Sequence, residues 1–113
     1  MIRRLASSLA GLLFFATAAL AADSPRDVWV KAKCALCHGM DGSGRTDTGR
    51  KVSAPDVRAP QTQSRTDEAL AKIISGGHKR MPSFRKQVSA TNARLLVEYI
   101  RGLVKVAAVP SER

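Results

Sequence analysis

Two cysteines and a histidine lie within five consecutive residues of this chain. Cys34, Cys37 and His38 form the pattern C-x-x-C-H, and the sequence contains no other cysteine. Two thiols at this spacing can each add to one vinyl group of a haem, and the adjacent imidazole can then bind the iron. The segment therefore predicts a covalently attached haem c, with Cys34 and Cys37 as thioether residues and His38 as an axial ligand.

Other chemistries of a cysteine pair fit this sequence less well. A structural zinc site needs four ligands, usually from a second pair at similar spacing, and only His78 remains after His38. A thioredoxin-like dithiol needs a βαβ pattern that the sequence lacks, and a disulfide across two intervening residues would be strained. Zinc binding, a redox dithiol and a chance match remain the minor alternatives.

A second segment offers a ligand for the opposite face of the haem. Proteins that carry haem c usually bind the iron with a second side chain, Met or His. Met81 lies in a Gly-rich loop, where Pro82 stiffens the chain, whereas Met40 is tethered beside His38. A lone methionine is more often a core residue, but Met81 is not on an apolar helical face, so we predict it as the distal ligand. His78 is the competitor, and we expect it to be a solvent-facing loop residue.

The first helix predicted to position these groups leads into the cysteine motif. Ser24 is its N-cap, Pro25 occupies its first turn and Asp27 the capping-box position. It should run from about Pro25 to Lys33 or just beyond and bring the cysteines to its end. Residues 39–60 are rich in Gly, Ser, Thr, Asp and Pro without periodicity, so we predict a loop that packs on the cofactor.

Two further helices are predicted in the second half of the chain. Thr66 caps one of them, and its apolar i, i+3, i+4 face ends at Gly76-Gly77. Ser89 caps the other, which should run to about Arg101 or Val104. No stretch of the sequence alternates like a strand, and the predicted fold class is therefore all-α.

The N-terminal segment has the features of a secretory signal. Arg3-Arg4 precedes an apolar run that ends in the small-residue cleavage pattern Ala19-Leu20-Ala21. We predict a cleavable signal peptide over residues 1–21 and one domain over residues 22–113, exported to the periplasm without a membrane span. An uncleaved anchor is the minority alternative, because the apolar run is shorter than the roughly 18–20 residues of a spanning helix.

The predicted mature domain is poor in residues that build a core. Its 92 residues hold only three aromatic side chains, Trp29, Phe84 and Tyr99. A domain of this size forms a marginal core unless another group contributes to it. A large and mostly apolar cofactor at its centre would supply the missing packing, which agrees with the haem prediction.

Six segments spread over most of residues 22–113 form a recognisable series. They read CALCHG from Cys34, DGSG from Asp41, APD from Ala54, IISGG from Ile73, MPSF from Met81 and LVEYIR from Leu96. The series resembles small, soluble, bacterial class I cytochromes c with a single haem. The resemblance implies the class I cytochrome c fold, in which short helices and long loops surround one covalently attached haem and the first and last helices cross near a haem edge.

The same resemblance implies roles for individual side chains. Met81 would be the distal ligand opposite His38. Phe84 and Tyr99 would pack around the haem and at the helix crossing. Pro55 is the best candidate for the carbonyl that accepts a hydrogen bond from the ligating imidazole, whose second ring nitrogen needs an acceptor.

The expected function follows from an iron with both axial positions filled by protein. Such an iron has no open position for substrate, which argues against an enzyme and for an electron carrier that works by outer-sphere transfer. Two alternatives stay open: a cytochrome c subunit of a larger oxidoreductase complex, and a haem-based sensor of small ligands. The expected state is a monomer.

Charge indicates the kind of partner. The predicted mature chain has 17 basic and nine acidic side chains, a net charge of +8. Basic residues flank both ligand segments, and we expect them to steer the protein onto an acidic docking face of a dehydrogenase, reductase or terminal oxidase. A generally solvated basic surface is the alternative. No aromatic residues are interleaved with the charges, which argues against nucleic acid. The basic residues are Lys31, Lys33, Lys79, Arg80, Arg85 and Lys86.

Overall fold

The computed structural model describes residues 10–13 and 22–107, so most of the predicted signal peptide and its cleavage point lie outside the described residues. The described chain forms helices joined by loops, and the one β feature within it is an isolated bridge between His78 and Met81. The all-α prediction is confirmed. The helices are α1 (Pro25–Lys31), α2 (Cys34–His38), α3 (Asp47–Val52), α4 (Pro60–Gln63), α5 (Asp67–Gly76) and α6 (Ala90–Ala107).

Helix α1 begins where the sequence predicts and ends sooner. The Ser24 hydroxyl accepts a hydrogen bond from the Asp27 amide at 3.1 Å, and the Asp27 carboxylate accepts one from the Ser24 amide at 3.2 Å. The helix stops at Lys31, before the predicted Lys33, because the chain turns into the left-handed region at Lys33, with φ of 65°. The cysteine motif therefore forms a short helix of its own, α2.

The prediction of a loop over residues 39–60 was wrong for its middle part, which is α3. Thr46 starts this helix, and its hydroxyl accepts a hydrogen bond from the Gly49 amide at 2.8 Å. A helix of six residues without an apolar face shows no periodicity in the sequence. It is stabilised by tertiary packing instead, since Gly49 lies directly against the carbonyl of Cys37.

The two later helices start at their predicted caps. Thr66 accepts a hydrogen bond from an amide in the first turn of α5, which ends at Gly76, with Gly77 at a φ of 80°. Helix α6 follows Ser89, whose hydroxyl also accepts a first-turn amide, and it continues beyond the predicted end to Ala107. Among the described helices, none is both long enough and apolar enough to cross a membrane.

The core lies where α6 packs against α1 and α5. Trp29 and Leu96 are its largest fully buried side chains, and the Trp29 ring stacks on Tyr99 with the centroids 4.7 Å apart. This contact fills the crossing of the first and last helices. The buried apolar side chains are Val28, Trp29, Cys34, Val57, Leu70, Ile74, Val88, Ala93, Leu96, Val97 and Ile100.

Candidate functional site

A cavity of about 890 Å³ opens beside this core, between α2, α5, α6 and the loops that carry Pro55 and Met81. Its walls are mostly apolar, and its volume is near the upper end of the roughly 300–1,000 Å³ of small-molecule sites. Cys34, Cys37, His38 and Met81 all line it. The fold therefore brings all four sequence-predicted site residues to one cavity.

The two cysteines enter the cavity from α2. Both are free thiols, with Cys34 buried and Cys37 half-buried. Burial raises the pKa of the Cys34 thiol to about 11, so this thiol is protonated at neutral pH. Two thiols one helical turn apart on a cavity wall are suited to addition across two vinyl groups of one bound molecule.

His38 is oriented by one acceptor. Its Nδ1 lies 3.2 Å from the carbonyl oxygen of Pro55, the residue that the resemblance implies for this role. Because a carbonyl only accepts, Nδ1 carries the proton and Nε2 is left with a lone pair for a metal. Burial lowers the pKa of His38, although the hydrogen bond to Pro55 opposes this, so the imidazole is held in its neutral, metal-binding form.

The end of α2 is held by α3 and by α1. The Thr46 hydroxyl lies 2.7 Å from the Leu36 carbonyl and 3.0 Å from the Cys37 carbonyl. From the other side, the indole Nε1 of Trp29 donates to the Gly39 carbonyl at 3.0 Å. These contacts fix the helix that carries the thiols and the imidazole.

Sequence reasoning missed Thr46 and Gly49, although one signal was present. Thr46-Asp47 repeats the Thr66-Asp67 pair that starts α5. What the sequence could not show is that the helix started by this pair packs on α2. A Cβ atom at position 49 would overlap the carbonyl of Cys37, so this close approach requires glycine.

Met81 and His78 share a tight turn. The His78 amide donates to the Met81 carbonyl at 3.0 Å, and the Met81 amide donates to the His78 carbonyl at 2.9 Å. Both side chains line the cavity, but Met81 is half-buried and packs against the core, whereas His78 is exposed. The burial pattern favours the thioether over the imidazole as the group on this wall.

The turn is attached to α5 by the residues that follow it. The Phe84 amide donates to the Ile74 carbonyl at 3.1 Å, and the Ser83 hydroxyl donates to the Ser75 carbonyl at 2.5 Å. Phe84 also lines the cavity. The other methionine of the predicted mature domain, Met40, lies in a separate cleft near α1 and α6. Its carbonyl accepts a hydrogen bond from the Tyr99 hydroxyl at 2.6 Å.

Four basic side chains line the cavity: Lys33, Arg65, Lys79 and Arg80. Arg65 does not belong to the basic set predicted from the sequence, because it precedes α5 and comes to the cavity only through the fold. Lys31 does belong to that set. It forms an ion pair with Asp23 at 2.8 Å, so its charge is matched locally.

The donors and walls of this cavity fit a haem c. Apolar walls suit the macrocycle, the adjacent thiols suit its two vinyl groups, and a neutral imidazole and a thioether suit the iron. A bare metal ion fits less well, since no group of three or more His, Cys, Asp or Glu side chains that could hold one occurs in the part of the chain described. Cys34, Cys37, His38 and Met81 are the residues that would hold the haem.

Comparison with known proteins gives similarity to a protein family and to solved structures. The model of a family described as cytochrome c oxidase, cbb3-type, subunit III, matches residues 20–100. A solved structure, the KustC0563 c-type cytochrome, is similar with a TM-score of 0.63 and 25% sequence identity. The similarity covers 72% of this chain and 98% of that one. No curated protein sequence matches.

Proposed function

We propose that this chain, which belongs to the cytochrome c family of the cbb3-type oxidase subunit III, is an exported electron carrier with one haem. Family membership shows a haem-based electron-transfer protein with covalently bound haem c, and the fold is that of a class I cytochrome c. The finer statements are proposals. Their main support is the cavity that brings Cys34, Cys37, His38 and Met81 together.

The haem count and the axial pair form the first of these proposals. One C-x-x-C-H motif and no further cysteine support one haem. His38, aligned by Pro55, supplies one ligand and Met81 supplies the other. When bound, the haem supplies an iron that accepts and releases one electron. With His38 and Met81 both binding it, the iron would have no coordination site left for a substrate, which supports a carrier over an enzyme.

The protein around the haem contributes a dry and rigid environment. Leu70, Ile74 and Leu96 are buried side chains of the cavity wall, and they would give a bound haem apolar surroundings. Low polarity and thioether ligation both favour the reduced iron, which raises the reduction potential. A fixed wall also limits the rearrangement that accompanies each electron transfer.

Export is proposed from the N-terminal residues. Residues 1–21 have the pattern of a cleavable signal peptide, and residues 22–113 form the cytochrome c domain. A periplasmic location agrees with the covalent attachment of haem. N-terminal sequencing of the purified holoprotein should begin at Ala22, and a protein that retains Met1 would support the anchor instead.

The partner is proposed from the charges at the cavity. Lys33, Lys79 and Arg80 from the predicted basic set line it, and Arg65 joins them. A positive surface at the place where a haem edge would be exposed is suited to the acidic docking face of a dehydrogenase, reductase or terminal oxidase.

A fixed subunit of a larger complex is the second candidate, and the description of the matching family favours it. Mild extraction and size-exclusion chromatography distinguish the two. A carrier elutes alone as a small haem protein, whereas a subunit elutes with the remainder of an oxidoreductase.

One spectroscopic experiment tests the carrier proposal. Purified holoprotein should keep its haem on denaturing electrophoresis, and its ferrous spectrum should not change when carbon monoxide is added. The double variant C34A/C37A should lose the haem-stained band. A rapid spectral change with carbon monoxide in the unaltered protein would show an open axial position and support the ligand sensor.

A further inference from the structure

Arg80 reaches from the turn that holds Met81 to the C-terminal end of α3, beside Val52, which lines the cavity. Its Nη1 donates to the backbone carbonyl of Lys51, in the last turn of α3, at 3.3 Å. The last four carbonyls of a helix lack partners within the helix, and a cation at this end also interacts favourably with the helix dipole. The Arg80 guanidinium therefore donates to a carbonyl at the C-terminal end of α3, where a positively charged donor is favourable.

Each side of this contact is attached to a different ligand segment. On one side, α3 is attached to α2, and so to His38, through Thr46 and Gly49. On the other side, Arg80 is adjacent in sequence to Met81. Among the hydrogen bonds of the described residues, only the bond from Arg80 to Lys51 joins residues 77–82 to residues 44–58.

We propose that Arg80 is a positioning residue that holds the Met81 turn closed against α3 and so protects the second axial position from competing ligands. The proposal rests on the proposed function, since it takes Met81 as the distal ligand. It adds a residue whose contact is with the protein backbone and not with the haem.

The size of the effect follows from a two-state description of the turn. An external ligand reaches the iron only when the turn is open, so its apparent affinity is proportional to the open population. The contact is exposed, and the net contribution of an ordinary intramolecular hydrogen bond corresponds to about two- to tenfold in such an equilibrium. Losing the contact should therefore strengthen external binding by about two- to tenfold.

The experiment compares ferric holoproteins in an imidazole titration, at a pH where imidazole is neutral. We expect R80A to bind imidazole about two- to tenfold more tightly than the unaltered protein. R80K should restore most of the original affinity, because an ammonium group can also donate to the Lys51 carbonyl. R85A is the matched control, since it removes the same charge from the following turn, and the hydrogen bonds of the described residues include none from Arg85 to α3.

Two further measurements separate the outcomes. Urea midpoints of the same samples show whether R80A acts on the turn or on the whole domain, and equal midpoints in R80A and R85A support an effect on the turn.

The variant M81A provides the reference for imidazole affinity. If M81A leaves imidazole affinity unchanged, the axial assignment is wrong, and the role of Arg80 with it. If M81A strengthens binding while R80A and R85A behave alike, the role of Arg80 alone is refuted.

Discussion

At the scale of single residues, the distal position depends on a choice between two neighbours. His78 and Met81 pair through their backbones in one tight turn. Residues directly opposite in an antiparallel pair place their side chains on the same face, which is why both line the cavity. Sequence spacing alone does not separate them. Burial supports Met81 as the proposed ligand, because Met81 packs against the core and His78 is exposed.

Replacing Met81 by Ala should open the second axial position. The ferrous variant should bind carbon monoxide, and the weak red absorption band of methionine-ligated ferric haem should disappear. The same substitution at His78 should leave both properties unchanged. If the change at His78 alone alters ligation, the protein is a bis-histidine carrier of lower potential.

How much of the site was predictable depends on how local its parts are. The place of the cysteine motif and His38 at one site was predictable, because these three residues lie within five consecutive positions. The sequence around Thr46 indicates a helix start but not the contact with α2, and nothing around Arg65 indicates the cavity. Their roles arise when α3 packs on α2 and when the residues before α5 reach the cavity.

At the scale of elements, the helix starts were predictable and α3 was not. Ser24, Thr66 and Ser89 each accept a first-turn amide of the helix they begin, and such a cap depends on three or four residues only. Helix α3 has a cap of the same kind but no apolar stripe. Its stability depends on contact with the Cys37 carbonyl, which is distant in sequence, so periodicity could not reveal it.

The close packing of α3 on α2 leads to a stability prediction. In G49A, the new methyl group would overlap the carbonyls of Cys37 and Gly44, so α3 must shift. We expect the free energy of unfolding of the holoprotein to fall by about 1–3 kcal/mol, as in other overpacked sites.

Urea unfolding followed by circular dichroism measures this difference. G102A is the matched control, because Gly102 lies within α6 with no atom near the position of its Cβ. There, alanine should stabilise the helix by roughly 0.5–1 kcal/mol. Equal stabilities for G49A and G102A would show that α3 does not pack closely on α2.

At the scale of the whole molecule, the cavity is large for a domain of this size. Its volume is about 890 Å³, and its mostly apolar walls lack packing partners on the side that faces the cavity. A domain of this size forms a marginal core unless another group contributes to it.

The protein without haem should therefore be largely unfolded. We expect C34A/C37A, freed of haem, to show little helix by circular dichroism and no cooperative urea transition, because a ligand that binds only the native state supplies its stability. A haem-free protein with native helix content and a sharp transition would contradict the proposed role of the cofactor in the core.

The charges at the cavity predict how the proposed carrier would meet a partner. Electron-transfer rate constants should fall as ionic strength rises, since the screening length shortens to about 8 Å at physiological salt. Charge reversal in K79E or R65E should slow the reaction far more than in R94E, because Lys79 and Arg65 line the cavity and Arg94 does not. Stopped-flow measurements across a salt series test this. Equal effects at the three positions would indicate a uniformly solvated basic surface.

The position of Trp29 has an optical consequence. It is the only tryptophan of the chain, and its ring centroid lies 5.9 Å from that of His38. An indole in this position would transfer its excitation to a haem bound at Cys34 and Cys37, so we expect the holoprotein to be dark in tryptophan fluorescence. Unfolding should not restore the emission, because Trp29 is five residues from Cys34 and an extended chain of that length spans at most about 18 Å. The chain thus contains a fluorophore that reports, in a single wavelength channel and without any added label, which molecules lack the cofactor.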